Sequence, residues 1–255
     1  MEDKDKASPL KGLAWVIVAI GIAAVFGFGI TPFVRAIPWS LEKNVSGFLG
    51  STSTVNVCQG SPKNKILLNQ IVSRLYPLDH DDSRFSVNVQ IVNNPTINAF
   101  AELGGKISLT RGLLEKAQSP EEIAGVLAHE MTHVSRRHIL EGFITHLMTW
   151  GGVQMISGSS SSMRWTNYFL NMGFTRTQET ESDEGALRRL QKAHISNDGF
   201  KEFFERMKES TSISAFISDH PSDQSRLEMV EKYRNEEPKP IMTKDEWMAF
   251  KAYCQ

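Results

Sequence analysis

Residues His129-Glu130-Met131-Thr132-His133 set two histidines four positions apart with a glutamate between them. On a helix this spacing projects both imidazoles from one face, one turn above the other. Two neutral imidazoles so placed can grip a single zinc ion, and Glu130 then sits beside the coordination position left for water. A metal site of this kind needs a helix packed against a core, and the flanking residues supply one. Ser119-Pro120-Glu121-Glu122 reads as a helix start, with Ser119 as N-cap, Pro120 at the first helical position and Glu122 closing a capping box. Ile123, Val126, Leu127 and Val134 follow at helical spacing. The pattern predicts a zinc hydrolase, and a peptidase before other hydrolases.

Catalytic zinc usually takes three protein ligands and keeps one position open. Downstream, Arg176 to Asp183 contains Glu179 and Asp183 one helical turn apart, on a stretch that continues through Ala186, Leu187 and Leu190. Glu179 is the candidate third ligand, and Asp183 the candidate hydrogen-bond partner that orients a ligating histidine. An acidic pair at this spacing is by itself usually a solvated helix face, and Glu181 and Glu184 point elsewhere on the same helix. Joined to the histidine motif, the pair becomes a strong signal. His138, beside Arg136 and Arg137, reads as a polar helix residue rather than a ligand. His80 lies in a solvated acidic turn, and no motif surrounds His146 or His194.

These motifs resemble the membrane-associated zinc peptidases that include the HtpX, Oma-type, BepA-type and CAAX-prenyl proteases, metallopeptidase family forty-eight. The likeness runs over roughly residues 65 to 230 and is carried by named segments. They are Asn98-Ala99-Phe100, Gly104-Gly105-Lys106-Ile107, Gly112-Leu113-Leu114, Val126 to His133, Arg176-x-x-Glu179-x-x-x-Asp183, and His220-Pro221 with Arg226. The family usually has alanine just before the aspartate, where this chain has Ser182. The resemblance implies that His129, His133 and Glu179 are the zinc ligands, Glu130 the general base and Asp183 the orienting partner. It further implies that His220 and Arg226 reach back toward the metal, to stabilise an oxyanion or, for the histidine, to cap a resting site. Asn98, Ala99 and Phe100 would form the edge on which a substrate backbone lies.

Amide hydrolysis makes chemical sense of that set. Zinc acidifies water to a pKa of about 7 and polarises a carbonyl, and a carboxylate such as Glu130 can take the water proton and return it to the leaving amine. A cationic or hydrogen-bonding pair such as His220 and Arg226 would meet the developing negative charge. An extended peptide can add to an exposed strand edge by main-chain hydrogen bonds. Val87, Val89 and Ile91 alternate as a half-buried strand, Lys106 to Thr110 reads as its partner, and Gly104-Gly105 supplies a turn.

The N-terminal region carries the other defining segment. Leu13 to Ile30 is an uncharged apolar run just long enough to cross a bilayer. Lysines 4, 6 and 11 precede it, which favours a cytoplasmic N-terminus and an extracytoplasmic peptidase domain, on the periplasmic side in a bacterium. The run exceeds a signal-peptide core and no small-x-small cleavage site closes it, so a retained anchor is expected over a cleaved leader. The chain of 255 residues leaves room for one domain of substantial core, and its net charge of −1 gives no electrostatic footprint for nucleic acid. Cys58 and Cys254 either form one disulfide or stay as two buried thiols.

Residues 1–12 are therefore expected to be a cytoplasmic N-terminus, 13–30 a transmembrane anchor, 31–62 a juxtamembrane linker and 63–255 a zinc metallopeptidase domain. The predicted fold is α+β: a mostly helical zincin-like (gluzincin) domain with a small sheet. Helices are expected over Asn64 to Leu75, Gly199 to Glu209 and Asp223 to Arg234, with a last one opened by Thr243. Phe143 to Ile156 reads as a core helix or a membrane-leaning lip, and Ser157 to Ser162 as a flexible lid. The predicted activity is endopeptidase hydrolysis of misfolded or membrane-associated polypeptides with one Zn(2+) per chain, in protein quality control. Two alternatives are a client-binding, chaperone-like module with latent proteolysis and a structural zinc protein.

Overall fold

In a computed structural model the described residues are 29–49, 56–76, 78, 86–149, 168–169, 172–209 and 225–255. Residues 13–28 of the anchor segment, the serine-rich lid, His80 and His220 lie outside them. Among the described residues no helix is long and apolar enough to cross a membrane. The chain divides into two units, Met1–Pro38 and Trp39–Gln255. In the first, Pro32 helps open a short helix, α1 (Thr31–Ala36).

The second unit is mostly helical with one three-stranded sheet. Its elements are α2 (Trp39–Leu49), α3 (Pro62–Leu75), β1 (Asn88–Val92), β2 (Ala99–Glu102), β3 (Lys106–Thr110), α4 (Arg111–Lys116), α5 (Pro120–Ser135), α6 (His138–Thr149), α7 (Arg176–Lys192), α8 (Asp198–Glu209), α9 (Ser225–Lys232) and α10 (Lys244–Lys251). The strand order is β1-β3-β2, with β1 parallel to β3 and β2 antiparallel to it. Val89 faces Ile107 and Ala99 faces Leu109. Gly104 and Gly105 close the β2–β3 turn at φ of 81° and 85°. A side chain at Gly105 would meet the Ser86 carbonyl at 2.1 Å, so the turn requires glycine on both counts.

Helix α5 is the centre of the unit. Every residue from Glu122 to Val134 is buried, which a helix achieves only when other elements surround it. It packs most extensively on α7, then on α8 and β2. Small residues permit the close approach: a Cβ on Gly185 of α7 would fall 2.3 Å from Thr132 Cγ2, and one on Gly125 would fall 3.0 Å from Phe200 Cβ. Ser119 caps α5 by accepting from the Glu122 amide, as its sequence predicts. The capping box does not close. The Glu122 carboxylate instead accepts from the Gln118 amide and from both terminal nitrogens of Arg206 on α8, at 2.8 and 2.5 Å. A buried carboxylate is better satisfied by that bidentate partner than by one backbone amide at a helix end.

Other ties are equally non-local. Arg189, 1% exposed on α7, donates to the Leu75 carbonyl at 3.2 Å and to Ser135 Oγ at 3.1 Å, joining α7 to α3 and to the end of α5. Cys58 and Cys254 are joined in a disulfide, with Cα atoms 4.9 Å apart. Helix α2, which falls within the stretch expected as a juxtamembrane linker, is part of this unit. Its Glu42 accepts from the Gly104 amide at 2.9 Å and pairs with Arg137 at 3.0 Å, while Ser46 Oγ donates to the Leu103 carbonyl. Burial pushes the Glu42 carboxyl up from its ordinary value, against the opposing pull of Gly104 and Arg137.

The expected helices over 64–75, 199–209 and 223–234 correspond to α3, α8 and α9. Thr243 and Glu246 do form a reciprocal capping box at α10. Phe143 is buried on α6, a core position, while Met148 near the end of that helix is 63% exposed.

Candidate metal centre

Two helices build the site. Helix α5 presents His129, Glu130 and His133, all fully buried. Helix α7 opens at Thr175 with a capping box closed by Gln178, which fixes the first turn where Glu179 sits. The buried stripe Glu179, Ser182, Asp183, Ala186, Leu187 and Leu190 then runs down α7 at helical spacing. Its lower part is the apolar seam, and its upper part carries the carboxylates.

The donor atoms converge. His129 Nε2 and His133 Nε2 are 3.0 Å apart; Glu179 Oε2 lies 3.5 Å from the first and Oε1 3.4 Å from the second. One ligand atom from each of the three residues lies within 4.8 Å of the others. Atoms held about 2.0–2.1 Å from a tetrahedral ion stand about 3.3–3.4 Å from one another, so these spacings are those expected between ligands of a single zinc ion. The donor types agree as well, because two imidazoles and one carboxylate are a known catalytic zinc set.

The protonation states favour ligation. His129 Nδ1 is 2.9 Å from Asp183 Oδ1, so the Nδ1–H donates to the carboxylate and leaves the Nε2 lone pair directed at the triangle. Burial holds the His133 imidazole well below its ordinary pKa, outweighing the opposing pull of Glu179. The neutral form, the only one that can bind a metal, is thereby the stable one. Phe174 lies over His133 with ring centroids 3.8 Å apart, and Phe200 and Phe204 flank His129 at 6.5 Å. These rings keep water from one side of the ligands.

The structure thus brings His129, His133, Glu179 and Asp183 together, and Glu130, the residue after His129 on α5, is fully buried. Asn98 precedes β2, whose residues Ala99 and Phe100 form an edge strand packed on α5. Asn98 receives the Thr110 amide on its backbone carbonyl, and its side chain accepts from the Ala99 amide. Arg226 falls on α9, with its side chain outside the described residues, as is the whole of His220. Sequence reasoning missed two neighbours. His138, which the sequence gives as a polar helix residue, is 2% exposed with Nδ1 3.0 Å from His133 Nδ1, a contact its spacing does not signal. Phe174 carried no signal, because it lies outside any periodic segment.

Comparison with known proteins agrees with this geometry. Residues 64–234 match the model of Peptidase family M48. The chain is 29% identical over 155 residues to the mitochondrial metalloendopeptidase OMA1 of Schizosaccharomyces pombe, covering 57% of this chain and 46% of that protein. It is 26% identical over 156 residues to the beta-barrel assembly-enhancing protease of Escherichia coli, covering 54% of this chain and 32% of the relative. A third relative, the metalloprotease LoiP of Escherichia coli, is 26% identical over 182 residues, with 67% of this chain and 71% of the relative covered. The chain therefore spans less than half the length of the first two relatives. Since the family model covers most of the sequence and both helices of the metal centre, the chain belongs to peptidase family M48.

Proposed function

We propose that this protein is a zinc-dependent endopeptidase that hydrolyses peptide bonds in misfolded or membrane-associated polypeptides. The observation that carries the reading is the buried triangle of His129 Nε2, His133 Nε2 and the Glu179 carboxylate, with Asp183 fixing the His129 tautomer. The names of the relatives, a metalloendopeptidase and two further proteases, support the same class. A zinc ion in the triangle would supply the Lewis acid for a scissile carbonyl and lower the pKa of water to about 7.

The chain's own residues do the rest. Glu130, next to His129 on the same turn, takes the proton of the attacking water and hands it to the leaving amine. His220 and Arg226 stabilise the negative charge that develops on the carbonyl oxygen. Residues Asn98, Ala99 and Phe100 align the substrate backbone along the β2 edge. Leu13 to Ile30 anchors the chain in a membrane with the peptidase domain extracytoplasmic. The Cys58–Cys254 disulfide supports that location, because such bonds persist in oxidising compartments.

The test is degradation of casein by the full chain, with zinc quantified in the same sample and Glu130→Gln measured beside it. The expected result is one zinc per chain in both proteins and cleavage in the wild type alone. Zinc in both without cleavage by either would transfer the function to client binding or to a structural metal.

A further inference from the structure

We infer that His138 is a positioning residue for the metal centre: its imidazole accepts the His133 Nδ1–H and so fixes the ligating tautomer of His133. The inference rests on the metal reading proposed above and assigns a role to a residue outside the donor set. His133 can bind a metal through Nε2 only if its proton sits on Nδ1. The atom placed to receive that proton is His138 Nδ1, at 3.0 Å, with the ring centroids 5.0 Å apart and nearly perpendicular at 75°. His138 must then carry its own proton on Nε2, and that nitrogen faces Glu181 Oε2 at 3.4 Å, an acceptor. Ser182 Oγ stands farther from the same nitrogen, at 3.4 Å, so the single lone pair of His138 Nδ1 goes to His133. The directions agree: His133 gives to Nδ1, and Nε2 gives to Glu181.

The two ligating histidines are therefore oriented by different chemistries. His129 has a carboxylate, Asp183, from α7, whereas His133 has a neutral imidazole from α6. The backbone holds His138 in place by an unusual route. Arg137, immediately before it, adopts a left-handed conformation at φ 67°, a conformation that costs a non-glycine residue of order 1 kcal/mol or more. The Arg137 side chain is fixed by Glu42 at 3.0 Å and lies 4.1 Å above the Trp39 ring. That clamp keeps the α5–α6 turn tight enough to return His138 to His133.

The experiment measures zinc affinity by chelator competition on the full chain for the wild type and three variants of position 138. Asparagine places an acceptor oxygen near the position of Nδ1, glutamine places its polar group near that of Nε2, and leucine has no acceptor. The expected result is wild-type affinity within about threefold for His138→Asn, and a loss of 10–100-fold for His138→Gln and His138→Leu, the size usual for an orienting partner. Unfolding of the metal-free proteins in urea is measured alongside, since a merely structural role would lower that stability without separating asparagine from glutamine. If the leucine variant fails to fold, the asparagine–glutamine pair decides alone. Equal zinc affinities for those two, or wild-type affinity in His138→Leu, overturn the inference while leaving the metal reading intact. Absence of zinc binding by the wild type overturns both.

Discussion

Gly185→Ala tests whether the close approach of α5 and α7 is what assembles the metal centre. The added Cβ would fall 2.3 Å from Thr132 Cγ2, 2.7 Å from Oγ1 and 3.0 Å from Cβ. Carbon pairs settle at about 3.5–4.0 Å, so the shortfall exceeds 1 Å. Turning the Thr132 side chain gives no relief, because both of its branches and its Cβ are too close. The helices must part instead. Overpacking of this kind costs about 1–3 kcal/mol, offset by roughly 1 kcal/mol because alanine favours a helix over glycine. The metal-free protein should therefore lose up to about 2 kcal/mol in urea unfolding. Zinc affinity should fall further, since Glu179 and Asp183 ride on α7 and metal distances tolerate only about 0.2 Å. A tenfold weaker Kd, about 1.4 kcal/mol, is the expected minimum by chelator competition. Adding Thr132→Ala removes two of the three clashing atoms and should restore part of both losses, a coupling of about 0.5–3 kcal/mol between touching residues. A Gly185→Ala protein that binds zinc like the wild type and unfolds no more easily would refute the reasoning.

Three other outcomes follow from single contacts. Asp183→Asn removes the full charge that accepts from His129 Nδ1, so zinc affinity should fall about 10–100-fold, read by the same competition assay. Breaking the Cys58–Cys254 bond with Cys58→Ser and Cys254→Ser opens a link between residues 196 positions apart, and loop entropy sets an upper loss of about 5 kcal/mol in unfolding free energy; an unchanged urea midpoint would contradict it. The Tyr233 hydroxyl and Arg188 hold the Glu184 carboxyl below its ordinary pKa. A depressed carboxylate stabilises the fold above the unfolded pKa near 4.5 and loses that contribution as pH falls through the lower folded value. Tyr233→Phe should thus lower stability at pH 7 and flatten the acid loss below about pH 4.5, and parallel curves for the two proteins would exclude the linkage.

The parts of this molecule that were legible in its sequence are those governed by local periodicity. The i, i+4 spacing of His129 and His133 and of Glu179 and Asp183 each defines one helix face, and the Ser119 cap with its following apolar positions fixes where the first of those helices begins. The Gly104-Gly105 turn joins β2 to β3 because only glycine accepts both the positive φ and the Ser86 carbonyl at that distance. That the two helix faces meet was inferred from chemistry, since three ligands are needed, rather than from any pairing signal between them.

What escaped was decided by partners far along the chain. Glu122 has the spacing of a capping-box residue, yet Arg206 on another helix outcompetes the Ser119 amide for its carboxylate. Arg189, a residue no local pattern singles out, is buried against the Leu75 carbonyl and Ser135. His138 shows the reason most plainly. Five residues along an unbroken helix would turn it about 140° away from His133, on a different face from the ligands. The left-handed Arg137 ends α5 and starts α6 between the two histidines, and this break brings their Nδ1 atoms to 3.0 Å. No rule of helical spacing contains that break. It is stabilised by Trp39 and Glu42, nearly a hundred positions earlier in the chain. Helix α2 therefore reaches the turn just before His138, and its sequence, read alone, looked like a linker.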